Sequence, residues 1–290
     1  MLEQFLLTRR EGWQEMAGQI SRFLRRGSKV LARGSRWLDR QSKLQQHHGG
    51  LIRQYPVKLN VGCGYDKREG YLNVDVDPAC DPDLLIVDGD YSEIPRRYFV
   101  EVLAKDVLEH VSRAETPAAL LDFADYLIDG GKLIVQTSSI LHVAAKLQES
   151  NHYADHYGWT ICLFGNQQHP GDYHHTGFTE LSLQVQLLSA GFTIEALDLR
   201  EDWMFYVEAR KASDWTSLVE SSHGVSDLEF LQHGFQAALY RDIDENSLRH
   251  WGNALRHGAL RKQVLKHLFS APERQFKIAE RHKDQIRHLS

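Results

Sequence analysis

Five short β-branched runs, each closing on glycine, aspartate or polar residues, restrict what this 290-residue chain can fold into. VKLNVGC begins at residue 57. LNVDVDP follows about a dozen residues later, then DLLIVDGD, VEVLAKDVLEHV and KLIVQTSS. Runs of this length and composition read as strands, and their small or polar ends mark where each stops. Helical spacing separates some of them, notably over 115–128. TELSLQVQLLSAGF reads as a further helix stopped by Gly191, and TIEALDLR and WMFYVEARK as two closing strands. Strands alternating with helices predict an α/β domain: a mainly parallel, Rossmann-like sheet with helices on both faces.

The texture differs on either side of this domain. Residues 1–50 hold ten Lys/Arg against four Asp/Glu, although the whole chain carries −5. Leu6, Trp13, Ile20, Phe23, Val30, Leu31 and Leu38 recur there at helical spacing. Such a basic amphipathic segment either packs its apolar face on the main domain or makes a peripheral membrane contact. From 213 the pattern is helical to the end, in three amphipathic segments with Gly258 as a cap before the third. The expected organisation is a basic helical segment over 1–50, the α/β domain over 51–212, and a small all-α docking module over 213–290.

Composition narrows the function. Hydrophobic residues at 42% and charged residues at 25% suit an ordinary packed core. The acidic balance gives no footprint for nucleic acid. Cys63, Cys80 and Cys162 are odd in number and contain no CxxC pair. They argue against a disulfide framework or a structural zinc site, and for a cytoplasmic location. No apolar run reaches the roughly 20 residues of a spanning helix.

The first strand runs directly into Val61-Gly62-Cys63-Gly64. Glycines there permit a tight turn and let backbone approach a ligand. A lone GxG also serves as a plain structural turn. Asp75 closes the next strand, where an acidic residue can accept from ribose hydroxyls. It follows the glycines sooner than the roughly 20 residues of a dinucleotide fingerprint, which counts against NAD.

Taken in order, LNVGCG, GYLNVDVDP, VDGDYSEIP, DVLEHV and LIDGGKLIV resemble the class I S-adenosylmethionine-dependent methyltransferases, over about residues 55–210. The resemblance implies a seven-stranded sheet whose final hairpin carries an antiparallel strand, with S-adenosylmethionine as cofactor. It places the Gly62-Cys63-Gly64 turn under the methionine and ribose, and Asp75 on the ribose hydroxyls. It gives Asp88 the adenine amine, with Gly89 supplying nearby backbone. Asp106 to His110 then face the methionine end and the acceptor. Asp75 and Asp88 also suit plain turns.

Methyl transfer to oxygen needs alignment, exclusion of water and a base for the hydroxyl proton; a metal is not required. Histidine suits that role near neutrality. The polar stretch 141–178 holds His142, His152, His156, His169, His174 and His175, with Asp155 and Asp172. Its weak periodicity predicts a substrate loop or lid. No strong metal-ligand spacing is present, so no metal site is assigned. FGNQQHPGDYHHTGF resembles the acceptor-side loop of methyltransferases associated with bacterial glycan assembly. That resemblance implies His174 as base, Asp172 as its orienter or as a sugar-hydroxyl acceptor, and His110 as a second acceptor-side group. Tyr153, Tyr157, Trp159, Phe164 and Tyr173 interleave with them, suited to a sugar's apolar face or to packing the loop on the sheet.

The stretch from Phe235-x-x-x-Leu239-Tyr240-Arg241 to Phe269-Ser270-x-Pro272-Glu273 resembles a small helical domain of unknown function attached to glycan-modifying enzymes. That domain is distantly similar to phycobilisome linkers. The usual Gly-Arg after the Tyr-Arg pair is absent here. The resemblance implies docking of a protein partner. The whole reads as a methyltransferase for a saccharide hydroxyl in cell-surface polysaccharide or glycoconjugate synthesis. Alternatives are a small-metabolite or peptide methyltransferase, and a catalytically silent scaffold on the same fold.

Overall fold

β1 (Lys58–Val61), β2 (Tyr71–Asp75), β3 (Leu84–Leu85), β4 (Phe99–Lys105), β5 (Leu127–Ser138), β6 (Phe192–Arg200) and β7 (Met204–Lys211) form one sheet in the order β3-β2-β1-β4-β5-β7-β6. The computed structural model describes residues 55–168, 170–284 and 286. The expected basic segment over 1–50 and His169 lie outside the described residues. The first five strands are parallel, and β7 runs antiparallel to both β5 and β6. This is the α/β, Rossmann-like sheet that the alternating runs predicted, with the antiparallel hairpin that the resemblance implied.

Register puts the strand ends level. Val61 pairs with Val74 on one side and Ala104 on the other, and Asp75 pairs with Leu85. The turns after β1, β2, β3 and β4 therefore emerge at one edge of the sheet. Leu59, Asn60 and Val61 are buried in succession, as are Val102, Leu103 and Ala104. Consecutive burial means the central strands are covered on both faces.

Two buried asparagines close the first crossover. No helix joins β1 to β2; the connection is the loop 62–70. Asn60 Nδ2 donates to Asn73 Oδ1 at 3.0 Å and to the Asp66 carbonyl at 3.0 Å. Asn73 Oδ1 also accepts the Arg68 amide at 2.7 Å, and its Nδ2 donates to Asp83 at 2.7 Å. Buried amides need such partners, and here they peg the loop to two strands.

α1 (Thr116–Tyr126) follows β4 and carries Pro117 in its first turn. α2 (Ile140–Glu149) is capped by Ser139. α3 (Tyr153–Phe164) ends at Gly165. α4 (Glu180–Ser189) starts in a Thr179–Ser182 capping box. The polar stretch 141–178 is thus largely helical, which corrects its expectation as a loop. Its His, Asn, Gln and Gly residues masked the helices, which bury little: α2 buries Val143 and α3 no residue at all.

The C-terminal residues form α5 (Ser217–Ser221), α6 (Asp227–Leu239), α7 (Glu245–Arg256), α8 (Arg261–Ser270) and α9 (Pro272–Arg281). The third expected segment is therefore two helices, split where Pro272 lacks the amide to continue α8. These helices belong to the same compact unit as the sheet. Lys262 and Lys266 of α8 reach Asp125 and Asp122 of α1 at 2.7 and 2.6 Å. Trp215 donates its indole N–H to the Leu121 carbonyl. The buried Arg274 of α9 donates to the carbonyls of Ser189, Ala237 and Ala238, the C-terminal ends of α4 and α6. A cation there answers orphan carbonyls and both helix dipoles. Arg274→Met keeps the length and leaves those carbonyls without a donor. It is expected to cost about 3 kcal/mol, read by urea denaturation.

Candidate functional site

The glycine turn after β1 has the geometry a ligand cradle needs. Gly62 and Gly64 sit at φ +59° and +47°, the left-handed region that side chains disfavour. A Cβ on Gly62 would stand 2.8 Å from Val107 Cγ2, so the turn packs directly on the β4 turn. A Cβ on Gly64 would meet no atom within 4 Å, which leaves its outer side open. Cys63 between them is buried, and burial with the neighbouring Asp75 pushes its thiol up to about 12. It is a packed, protonated side chain that donates toward the Gly64 carbonyl.

Asp75 joins the turn to β2. Its Oδ2 accepts the Gly64 amide at 2.7 Å and its Oδ1 the Asp77 amide at 2.8 Å. Each oxygen keeps a further lone pair. Asp88 and Gly89 occupy the centre of a turn closed by the Asp90 amide on the Val87 carbonyl at 2.9 Å. Their φ values of +53° and +70° make it a type I′ turn. Asp88 is exposed at its tip, three residues past β3.

Beyond β4 the chain turns at Asp106, itself at φ +53°. Its amide donates to the Gln136 carbonyl at 2.9 Å. A 3₁₀ turn, Leu108–His110, then carries His110 to the same edge of the sheet. Here the structure brings together residues far apart in sequence. The His110 and His174 rings meet edge to face, with centroids 4.7 Å apart. Asp172 lies close enough for its charge to act on both.

The tautomers follow from the partners. His110 Nδ1 lies 3.2 Å from the Tyr173 carbonyl, and His174 Nδ1 lies 3.1 Å from the Cys162 carbonyl. A carbonyl only accepts, so each Nδ1 carries the proton and each Nε2 keeps its lone pair. Burial is the largest cause holding both imidazoles below their ordinary 6.5. Both rings are therefore neutral at pH 7, with a basic nitrogen available.

The segment bearing His174 is pinned along its length. The His174 amide donates to the Phe164 carbonyl at 3.2 Å, at the end of α3. The His175 and Thr176 amides both donate to the Glu109 carbonyl, at 2.7 and 3.1 Å. Gly165, at φ +76°, underlies it: a Cβ there would overlap the Asp172 carbonyl. Tyr173 stacks on His175 with planes 13° apart. Exposed Tyr153 and Tyr157 stand along α3, and Trp159 meets Trp203 of the β6–β7 turn.

His152 and His156 do not join the histidine pair; His156 bonds the Ser150 carbonyl instead. His142 bonds Ser139. Among the described residues no three His, Cys, Asp or Glu side chains are grouped to hold a metal ion. Gly165 was missed as a site residue by sequence reasoning, whereas Glu109 fell within the Asp106 to His110 span. The signal for Gly165 was a glycine closing an aromatic-rich segment.

A family described as a domain of unknown function, DUF4214, matches residues 217–278. No curated protein matches the sequence. Among solved structures, a possible exported protein from Bordetella parapertussis is 17% identical with a TM-score of 0.39. That match covers 59% of this chain and 65% of the other, so this chain spans just under two thirds of that protein. A SAM-dependent methyltransferase from Methanosarcina mazei is 16% identical at a TM-score of 0.37, covering 55% and 94%. A 1,6-didemethyltoxoflavin-N1-methyltransferase from Burkholderia thailandensis, solved with S-adenosylhomocysteine, is 16% identical at 0.38, covering 64% and 85%. At these scores the likenesses assign no function to this chain.

Gly165→Ala is expected to destabilise the chain by about 2–4 kcal/mol and to separate the His110 and His174 rings, because the overlap is with backbone. Denaturation and the histidine ring resonances measure both effects.

Proposed function

We propose that the chain is an S-adenosylmethionine-dependent methyltransferase. In this reading it methylates a hydroxyl of a saccharide during cytoplasmic assembly of a cell-surface polysaccharide or glycoconjugate. One observation carries the reading. A bare glycine turn, an acidic strand end and a pair of neutral histidines converge at the carboxyl edge of a largely parallel sheet, where such folds bind ligands.

The residues present fit the cofactor. The open outer side of Gly64 admits a ligand against backbone. Asp75 is oriented by two amides and retains lone pairs for ribose hydroxyls. Asp88 offers a carboxylate to the adenine amine from the tip of its turn, beside Gly89. When bound, S-adenosylmethionine supplies a methyl group on a sulfonium, already activated for in-line displacement.

The remaining chemistry falls to the chain. His174 Nε2 takes the acceptor proton as the hydroxyl attacks. The Asp172 charge favours the imidazolium so formed. His110 presents a second lone pair to the acceptor, and Asp106 faces the methionine end. The flat faces of Tyr173 and His175 suit the apolar side of a sugar ring. Residues 213–290 are read as presenting the enzyme to a protein partner, through exposed Phe276 and Leu260.

Calorimetry tests the cofactor first. Asp75→Ala is expected to raise the S-adenosylmethionine Kd about 10- to 100-fold. No binding by the unaltered chain would leave the scaffold reading in its place. Methyl transfer to nucleotide sugars and oligosaccharides tests the acceptor class. His174→Ala is expected to keep cofactor affinity and to lower turnover roughly 10²- to 10⁴-fold. Both imidazoles sit below 6.5, so turnover should hold down through that pH and fall only as they protonate. A fall that begins well above 6.5 would remove them as bases.

A further inference from the structure

The side chain of Glu109 is unused by the roles above, yet it lies at the centre of the acceptor end. It is 3% exposed. Its Oε2 accepts the hydroxyl of Thr137, at the end of β5, at 2.8 Å. Thr137 has no solvent exposure. The Glu109 carbonyl holds the His175 and Thr176 amides. One residue thus joins three pieces: the turn after β4, the end of β5, and the segment bearing His174. The Thr176 hydroxyl on that segment is itself buried without a hydrogen-bond partner.

The charged group that acts on Glu109 is Asp106 on its own turn, where His110 follows it in sequence; His174 and His175 belong to the segment held by its carbonyl. β5 contributes the neutral Thr137. Lys105 turns instead to Asp66, at 3.3 Å. Burial, opposed by the residue's own amide and the Thr137 hydroxyl and reinforced by Asp106, pushes the carboxyl up to about 7. An isolated buried carboxylate is costly, so the neutral acid is the form this environment favours.

We propose that Glu109 is a positioning residue: its side chain, buried against Thr137, sets the turn that carries His110 and presents the carbonyl that anchors the segment bearing His174, and a charge on that buried carboxyl beside Asp106 loosens the arrangement. The inference rests on the methyltransferase reading only in calling this end of the sheet the acceptor site. It gives that site an upper pH limit, distinct from the acid limit set by the histidines.

The test uses the full chain without cofactor. Glu109→Gln keeps an oxygen for the Thr137 hydroxyl and cannot ionise. The folded carboxyl holds its proton to about 7 whereas the unfolded one releases it near 4.5. The unfolded state then binds fewer protons across that interval, and stability falls as pH rises through it. Melting from about pH 5.5 to about pH 8.5 should show the unaltered chain losing a few degrees relative to Glu109→Gln. Parallel melting curves would overturn the proposal.

Positioning is read from the His110 and His174 ring resonances. In the unaltered chain they should move in a second step near neutrality, beyond their own titration. Glu109→Gln should lack that step; a step that persists in the variant, or none in the unaltered chain, overturns the role. Should Glu109→Gln not fold, Thr137→Val removes the hydroxyl that favours the ionised form and should move the step to higher pH. An unmoved step counts against the proposal equally. Failure to bind S-adenosylmethionine would sink the function and leave these results standing. Parallel melting with intact cofactor binding would sink Glu109 alone.

Discussion

Two amides on one carbonyl hold the segment bearing His174 to the turn after β4. The Glu109 carbonyl receives the His175 and Thr176 amides in the middle of that segment. At its near end the His174 amide reaches the Phe164 carbonyl, and at its far end the Phe178 carbonyl takes the Ile140 amide at 3.0 Å. These links run backbone to backbone, so much of the arrangement depends on where chains run, and the His110 and His174 rings add bonds to the Tyr173 and Cys162 carbonyls. The glycines permit this course. Gly165 admits the Asp172 carbonyl, and Gly62 admits Val107.

Much of the sheet was legible because its strands carry two signals at once. β-branched runs give the strand, and the Gly or Asp at each end gives the stop. The closing hairpin and α4 were read from the same cues, down to Gly191. The crossover 62–70 was not. Its order comes from Asn60 and Asn73, which look like neutral strand residues until the fold buries them against each other. α2 and α3 were hidden as well. α2 bears Ile140, Val143, Ala144 and Leu147 at helical spacing, but the His, Tyr, Gly and Asn of the surrounding stretch masked that stripe, and α3 buries no residue.

The two halves of the candidate site differed in the same way. Gly62, Gly64 and Asp75 fall within a short stretch, and local chemistry suffices to group them. The pairing of His110 with His174 spans the whole of β5 and three helices, so only resemblance could suggest it. Glu109 illustrates the limit more sharply. In DVLEH it suits packing, solvation or the acceptor end alike, and a charged residue is seldom buried. Its burial follows from the covering of β5 and the fold-back of 173–176, neither of which leaves a trace in five letters.

The C-terminal helices raise a related question of rigidity. A docking module on a linker would move independently of the sheet. Here Arg274 spans α4 and α6, while Lys262 meets an Asp125 carboxylate that is almost wholly buried. An ion pair with one buried member is costly to break, because the remaining charge stays desolvated. α4 leads directly into β6, and the β6–β7 turn supplies the Trp203 that meets Trp159 of α3. α9 is thus tied through Arg274 to the end of α4, and through α4 to β6, so the C-terminal helices form one compact unit with the sheet.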